Sequence, residues 1–150
     1  MTTIVYRDDV MAGDSRETDG PDSNPIILRD DCIKVFRLPD GSLFGASDSS
    51  ESIERLHKAL IDNLPPPKLD NINALLVKPD GTIWQYEGNI WQAIHQPYHA
   101  VGSGSMFALP AMDAGASAVE AVEIGIKRDP FSGGKVTHLR LRKKKKDPDA

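Results

Sequence analysis

Short apolar-rich runs, one of them alternating apolar with polar, are separated by residues suited to tight turns. Residues 3–7 (Thr-Ile-Val-Tyr-Arg) and 10–13 (Val-Met-Ala-Gly) predict two short strands joined by an Asp8-Asp9 turn. Residues 33–38 alternate apolar with polar and predict a third strand. Pro39-Asp40-Gly41 then turns the chain, because Pro presets φ and Gly accepts φ > 0, and residues 42–46 return. A second hairpin is predicted by residues 74–78 and 82–86 around Pro79-Asp80-Gly81. Gly88 marks a further turn, residues 98–101 a short strand, and residues 135–141 a final strand. Residues 17–31, rich in Asp, Gly, Pro and Ser, predict a loop holding a short extended piece over 25–28.

The helical period appears three times. Ile53, Leu56, Leu60 and Leu64 share one face, with Asp48 or Ser49 as N-cap, Glu51 three residues past Asp48, and Pro65-Pro66-Pro67 as the stop. Residues 105–114 predict a helix that Pro110 should kink or end early. Residues 117–128 predict a better one, with Val119, Val122 and Ile126 on one face and a Ser117–Glu120 capping box. Hairpins, one helix, a hairpin, two helices and a strand predict an antiparallel α+β fold. Two packed sheets with helices outside would cover every apolar face.

At 150 residues and 39% hydrophobic content the chain fits one domain with a real core. No apolar run approaches the roughly 20 residues needed to span a bilayer, and no secretory signal opens it. A single cysteine, Cys32, excludes an intrachain disulfide and predicts a reducing, cytoplasmic location. The net charge of −4 is uneven. Arg140, Arg142 and residues 143–146, all Lys, outweigh Asp147 and Asp149, so the tail carries +4 and the preceding 139 residues −8. An acidic body argues against nucleic acid as its partner. His57, His95, His99 and His138 show no metal-ligand spacing, so neither metal nor cofactor is expected.

The candidate chemistry starts at Thr2. Thr is small enough for methionine aminopeptidase to remove Met1, which would leave an α-amine and a hydroxyl on one residue. That pairs a nucleophile with its own base, and the amine's reference pKa of about 7.7–8.0 keeps a useful fraction neutral. Taken singly, Lys34 and Asp14 would be a plain ion pair, Ser103 a turn residue and Asp129 a loop residue.

Five motifs in order over residues 2–136 change this. They are Thr2-Thr3-Ile4-Val5; Asp14-Ser15-Arg16; Lys34-Val35-Phe36-Arg37-Leu38; Val101-Gly102-Ser103-Gly104-Ser105, followed by residues 114–121; and Arg128-Asp129-Pro130-Phe131-Ser132-Gly133-Gly134. Together the chain resembles a β-type proteasome subunit and is similar to the bacterial HslV peptidase, both N-terminal-nucleophile hydrolases. The resemblance implies a four-layer αββα sandwich of two antiparallel sheets over residues 1–142, followed by a basic, disordered tail at 143–150. It implies a threonine endopeptidase in which Thr2 is the nucleophile, Lys34 the cation beside it, and Asp14 the carboxylate holding Lys34. Ser103, Asp129 and Ser132 would fix the amine and relay its proton, and the Asp48 backbone N–H would bind the oxyanion. Thr18 would pair with substrate, with Cys32, Phe36 and Ala46 near a side-chain pocket. It further implies homo-oligomeric stacked rings, peptide or unfolded-protein substrates, and a possible AAA+ ATPase or other regulator, with no membrane partner.

The chain also departs from that family. Ser47-Asp48-Ser49 replaces the usual Gly-Gly, the loop between Asp14 and Lys34 is longer, and most of one helix after Pro65 is absent. A non-catalytic ring or scaffold homologue and an amidase for small amides on the same scaffold are the alternatives.

Overall fold

A computed structural model describes residues 2–69 and 71–143. Two antiparallel sheets form its centre. In the first, β10 (Tyr98–Val101), β1 (Ile4–Arg7), β2 (Val10–Gly13) and β11 (Thr137–Arg140) lie side by side in that order. The second is a meander of β5 (Val35–Arg37), β6 (Leu43–Ser47), β7 (Asn73–Val77), β8 (Ile83–Glu87) and β9 (Ile90–Ile94). Helix α1 (Ser50–Ile61) covers the outer face of the second sheet, and α2 (Ser105–Asp113) and α3 (Ala118–Arg128) cover the outer face of the first. The result is the expected α+β, four-layer αββα sandwich.

The period-two alternation of a strand sorts side chains between layers. Ile4, Tyr6 and Met11 meet Val35, Leu43, Leu75 and Val77 between the sheets. Val5 and Ala12, one step out of phase, meet Ala121 and Val122 of α3. Phe44, Ala46, Ala74 and Leu76 meet Ile53 and Leu56 of α1.

Several local structures differ from the sequence expectation. The extended piece expected over 25–28 is β4 (Ile26–Arg29), and it pairs with β3 (Glu17–Asp19) as a hairpin where only a loop was expected. All four β4 residues are exposed, so no alternation marks them. Strand β9 follows a two-residue Gly88-Asn89 turn in which both residues have φ near +60°, the geometry of a type I′ hairpin. Asp8 and Asp9 make the same turn between β1 and β2 at φ +50° and +67°.

Helix α1 ends before the prolines. Asn63 takes φ +52°, its N–H bonds Leu60 O, and the Leu64 N–H bonds Ala59 O. This is a Schellman motif with Asn in the left-handed position, and it leaves Leu64 exposed beyond the helix. The N-cap is Ser49, which accepts from the Ser52 N–H at 3.2 Å; Asp48 is left on the connection. Helix α2 runs through Pro110 and ends at a second Schellman motif built on Gly115 at φ +106°. The Ser117–Glu120 capping box is present. No described helix is long and apolar enough to cross a membrane. Met1 and residues 144–150 of the basic tail lie outside the described residues.

Candidate active site

Several element ends converge at one edge of the sandwich. Ile4 pairs with both Gly13 and Val101, so the start of β1 lies between the end of β2, which leads to Asp14, and the end of β10, which leads to Ser103. Lys34 immediately precedes β5, and Asp129 is the C-cap of α3. Strand alternation then divides the two threonines. Thr2, in phase with Ile4, turns toward Lys34, whereas Thr3, in phase with Val5, packs against Gly125 of α3.

Asp14 is fully buried and saturated. Its Oδ1 accepts from the Thr3 N–H at 3.0 Å, and its Oδ2 from the Gly133 N–H at 3.0 Å and the Arg16 N–H at 3.2 Å. Lys34 Nζ donates to both carboxylate oxygens, at 3.1 and 3.2 Å, and to Thr2 Oγ1. Burial pushes the Lys34 ammonium below its ordinary value of 10.5, against the opposing pull of Asp14.

A second network holds the Thr2 nitrogen. Its N–H donates to Ser103 Oγ at 3.1 Å, and Ser103 Oγ donates to Asp129 Oδ2 at 2.6 Å. Ser132 Oγ donates to the same oxygen at 2.7 Å, so Thr3 Oγ1 is the donor in its 2.7 Å bond to Ser132 Oγ. The Phe131 N–H donates to Asp129 Oδ1 at 3.1 Å. Glycines make this approach possible. A Cβ at Gly102 would lie 2.1 Å from Thr2 O, and one at Gly104 only 1.7 Å from Thr3 Oγ1.

Lys34 and Ser103, the two side chains that hold Thr2, form part of the wall of a cleft of about 780 Å³. Thr18, Cys32 and Asp48 also line it. Phe36 and Ala46 are not among its lining residues. Phe36 stacks on His57 at 4.3 Å between ring centroids, and Ala46 is fully buried beneath α1. Both side chains are on the helix-facing side of their sheet, the side α1 fills.

Two contributions have little signature in the sequence. Thr3 links both networks through its N–H and hydroxyl, yet a second Thr at the start of a strand is unremarkable in itself. Glu17 also lines the cleft, and its Oε2 accepts from Ser50 Oγ at the start of α1. That contact spans 33 residues of sequence and depends on the β3–β4 hairpin. No cluster of His, Cys, Asp and Glu suited to a metal ion occurs among the described residues.

No family model matches the chain, and no curated protein matches its sequence. Solved structures do match. HslV from Trypanosoma brucei aligns with a TM-score of 0.66 at 17% identity, over 93% of this chain and 98% of that one. A Thiobacillus denitrificans protein termed BPH aligns with a TM-score of 0.63 at 20% identity, over 93% and 97% of the two chains. The same protein in complex with epoxomicin aligns with a TM-score of 0.61 at 20% identity, over 93% and 98%. The chain therefore has the α+β sandwich fold of HslV over nearly its full length.

Proposed function

We propose that the chain is a threonine-type endopeptidase subunit of a proteasome-like ring, with Thr2 as nucleophile once Met1 is removed. The observation that carries this reading is the Lys34 ammonium, buried between Thr2 Oγ1 and the Asp14 carboxylate. A cation beside a hydroxyl favours the alkoxide, and at the proposed N-terminus the hydroxyl has an amine base on its own residue. The fold shared with HslV and with a protein that takes epoxomicin supports the same reading.

The neutral Thr2 amine, held by Ser103, accepts the Oγ1 proton through a water, and Oγ1 attacks the peptide carbonyl carbon. The proposed donor to the tetrahedral oxyanion is the backbone N–H of Asp48, a residue that lines the cleft; losing such a donor costs about 3 kcal/mol in barrier. As the C–N bond breaks, the leaving amine takes the proton from the Thr2 ammonium. Water then hydrolyses the ester and restores Oγ1. Asp129 and Ser132 orient Ser103 and complete the relay around the amine.

Intact mass tests this directly. Protein beginning at Thr2 should gain the mass of one epoxyketone per chain and cleave peptides, and Thr2→Ala should do neither. If protein of verified Thr2 start is neither labelled nor active, the reading falls and the non-catalytic scaffold stands in its place.

A further inference from the structure

We infer that the cleft selects peptides carrying an arginine or lysine side chain beside the scissile bond, with Glu17 as a specificity-determining carboxylate. This rests on the peptidase reading above. The cleft over the Thr2 site is lined by Glu17, Asp19, Asp22, Asp48 and Glu87. Its two cations are already matched by carboxylates that are not part of that lining. Arg16 forms a two-pronged pair with Asp30, at 2.8 and 3.1 Å, and Lys34 pairs with Asp14. Neither cancels the acidic lining, so a substrate cation meets a surplus of negative charge and a substrate anion meets repulsion.

Glu17 has the most constrained position of the five. It reaches from β3 to Ser50 at the start of α1, beside the Ser47-Asp48-Ser49 segment that carries the proposed oxyanion donor. Its side chain is 21% exposed, and the buried Cys32 thiol lies 3.9 Å from the same oxygen. An aliphatic stem could pass Cys32 while its cationic head meets the carboxylate, the division of labour natural to Lys and Arg. The existing cation near Glu17, Arg29, is half-exposed with Nε at 4.0 Å, a separation and exposure at which an ion pair holds weakly.

The test uses binding, so it does not depend on turnover. Fluorescent tetrapeptide amides differing only in one Arg, Leu or Glu are titrated against Thr2→Ala protein by anisotropy. The Arg peptide should bind roughly tenfold tighter than the Glu peptide at low salt, with the gap closing as salt rises. Adding Glu17→Gln should narrow the gap several-fold at unchanged thermal unfolding; if that variant does not fold, the peptide series and its salt dependence still decide. Equal binding, or tighter binding of the Leu or Glu peptide, overturns the inference. Epoxyketone labelling of protein starting at Thr2 reads the underlying activity separately. Labelling without an Arg preference sinks only the selectivity, and an Arg preference without labelling sinks the peptidase reading and reduces the inference to peptide binding in the cleft.

Discussion

Asp14 and Lys34 show how much one residue can hold. The pair is almost wholly buried, and Asp14 also accepts from three backbone N–H groups belonging to separate segments. Removing one partner of such a pair leaves the other charge buried without its counter-charge, which typically costs about 3–5 kcal/mol. Asp14→Ala is therefore expected to lower stability by that order in urea unfolding. Lys34→Met leaves Asp14 its three N–H donors and should be milder for the fold. It should still reduce peptide hydrolysis at least ~100-fold, a loss typical of removing a group that assists proton transfer. The pH profile follows from the same two groups. Activity should rise as the Thr2 amine loses its proton and fall as Lys34 loses its own. Because burial lowers the Lys34 pKa, the alkaline fall should come below pH 10.5 in kcat/KM measurements. A rate still climbing at that pH would remove Lys34 from the mechanism.

Strands and helices set how closely these residues approach. The site is assembled from the start of β1, the ends of β2 and β10, the approach to β5 and the end of α3. Gly102 and Gly104 let the chain after β10 pass against Thr2 and Thr3, with no room for a Cβ. Gly104→Ala should therefore damage both stability and hydrolysis, because its Cβ would collide with the Thr3 hydroxyl that bonds Ser132. Ser117→Ala gives the contrast. It removes the N-cap of α3, far in sequence from Thr2, and should cost about 1 kcal/mol in urea unfolding while leaving epoxyketone labelling in place.

Across the whole molecule, the two outer faces are covered unequally. Two helices cover the four-stranded sheet and one covers the five-stranded sheet, where the indoles of Trp84 and Trp91 stay partly exposed. A chain of 16.4 kDa that forms a closed ring should appear in native mass spectrometry as one defined multiple of that mass. A monomer at working concentration would remove the ring from the proposal, though not the chemistry at Thr2.

The sequence by itself determined the layering. The strand-forming runs of β1, β2, β5 and β6 with the turns between them, the helical spacing of Ile53 and Leu56, and the Ser117–Glu120 box act over a few residues and are legible locally. It also marked Thr2, Asp14, Lys34, Ser103, Asp129 and Ser132 as a set, through motifs rather than through contacts. The tertiary structure decided the rest. The pairing of β3 with β4 carried no pattern, because all four β4 residues are exposed. The end of α1 depended on the left-handed conformation of Asn63, two residues beyond Ile61 and two before Pro65. Phe36 and Ala46 went to the α1 side of their sheet because a strand side chain can face only one layer. The reach of Glu17 to Ser50, the sharing of Asp129 by Ser103 and Ser132, and the burial of Lys34 against Thr2 all join residues far apart in sequence. Local rules act between near neighbours, so only the packed sheets could bring these groups within hydrogen-bonding distance.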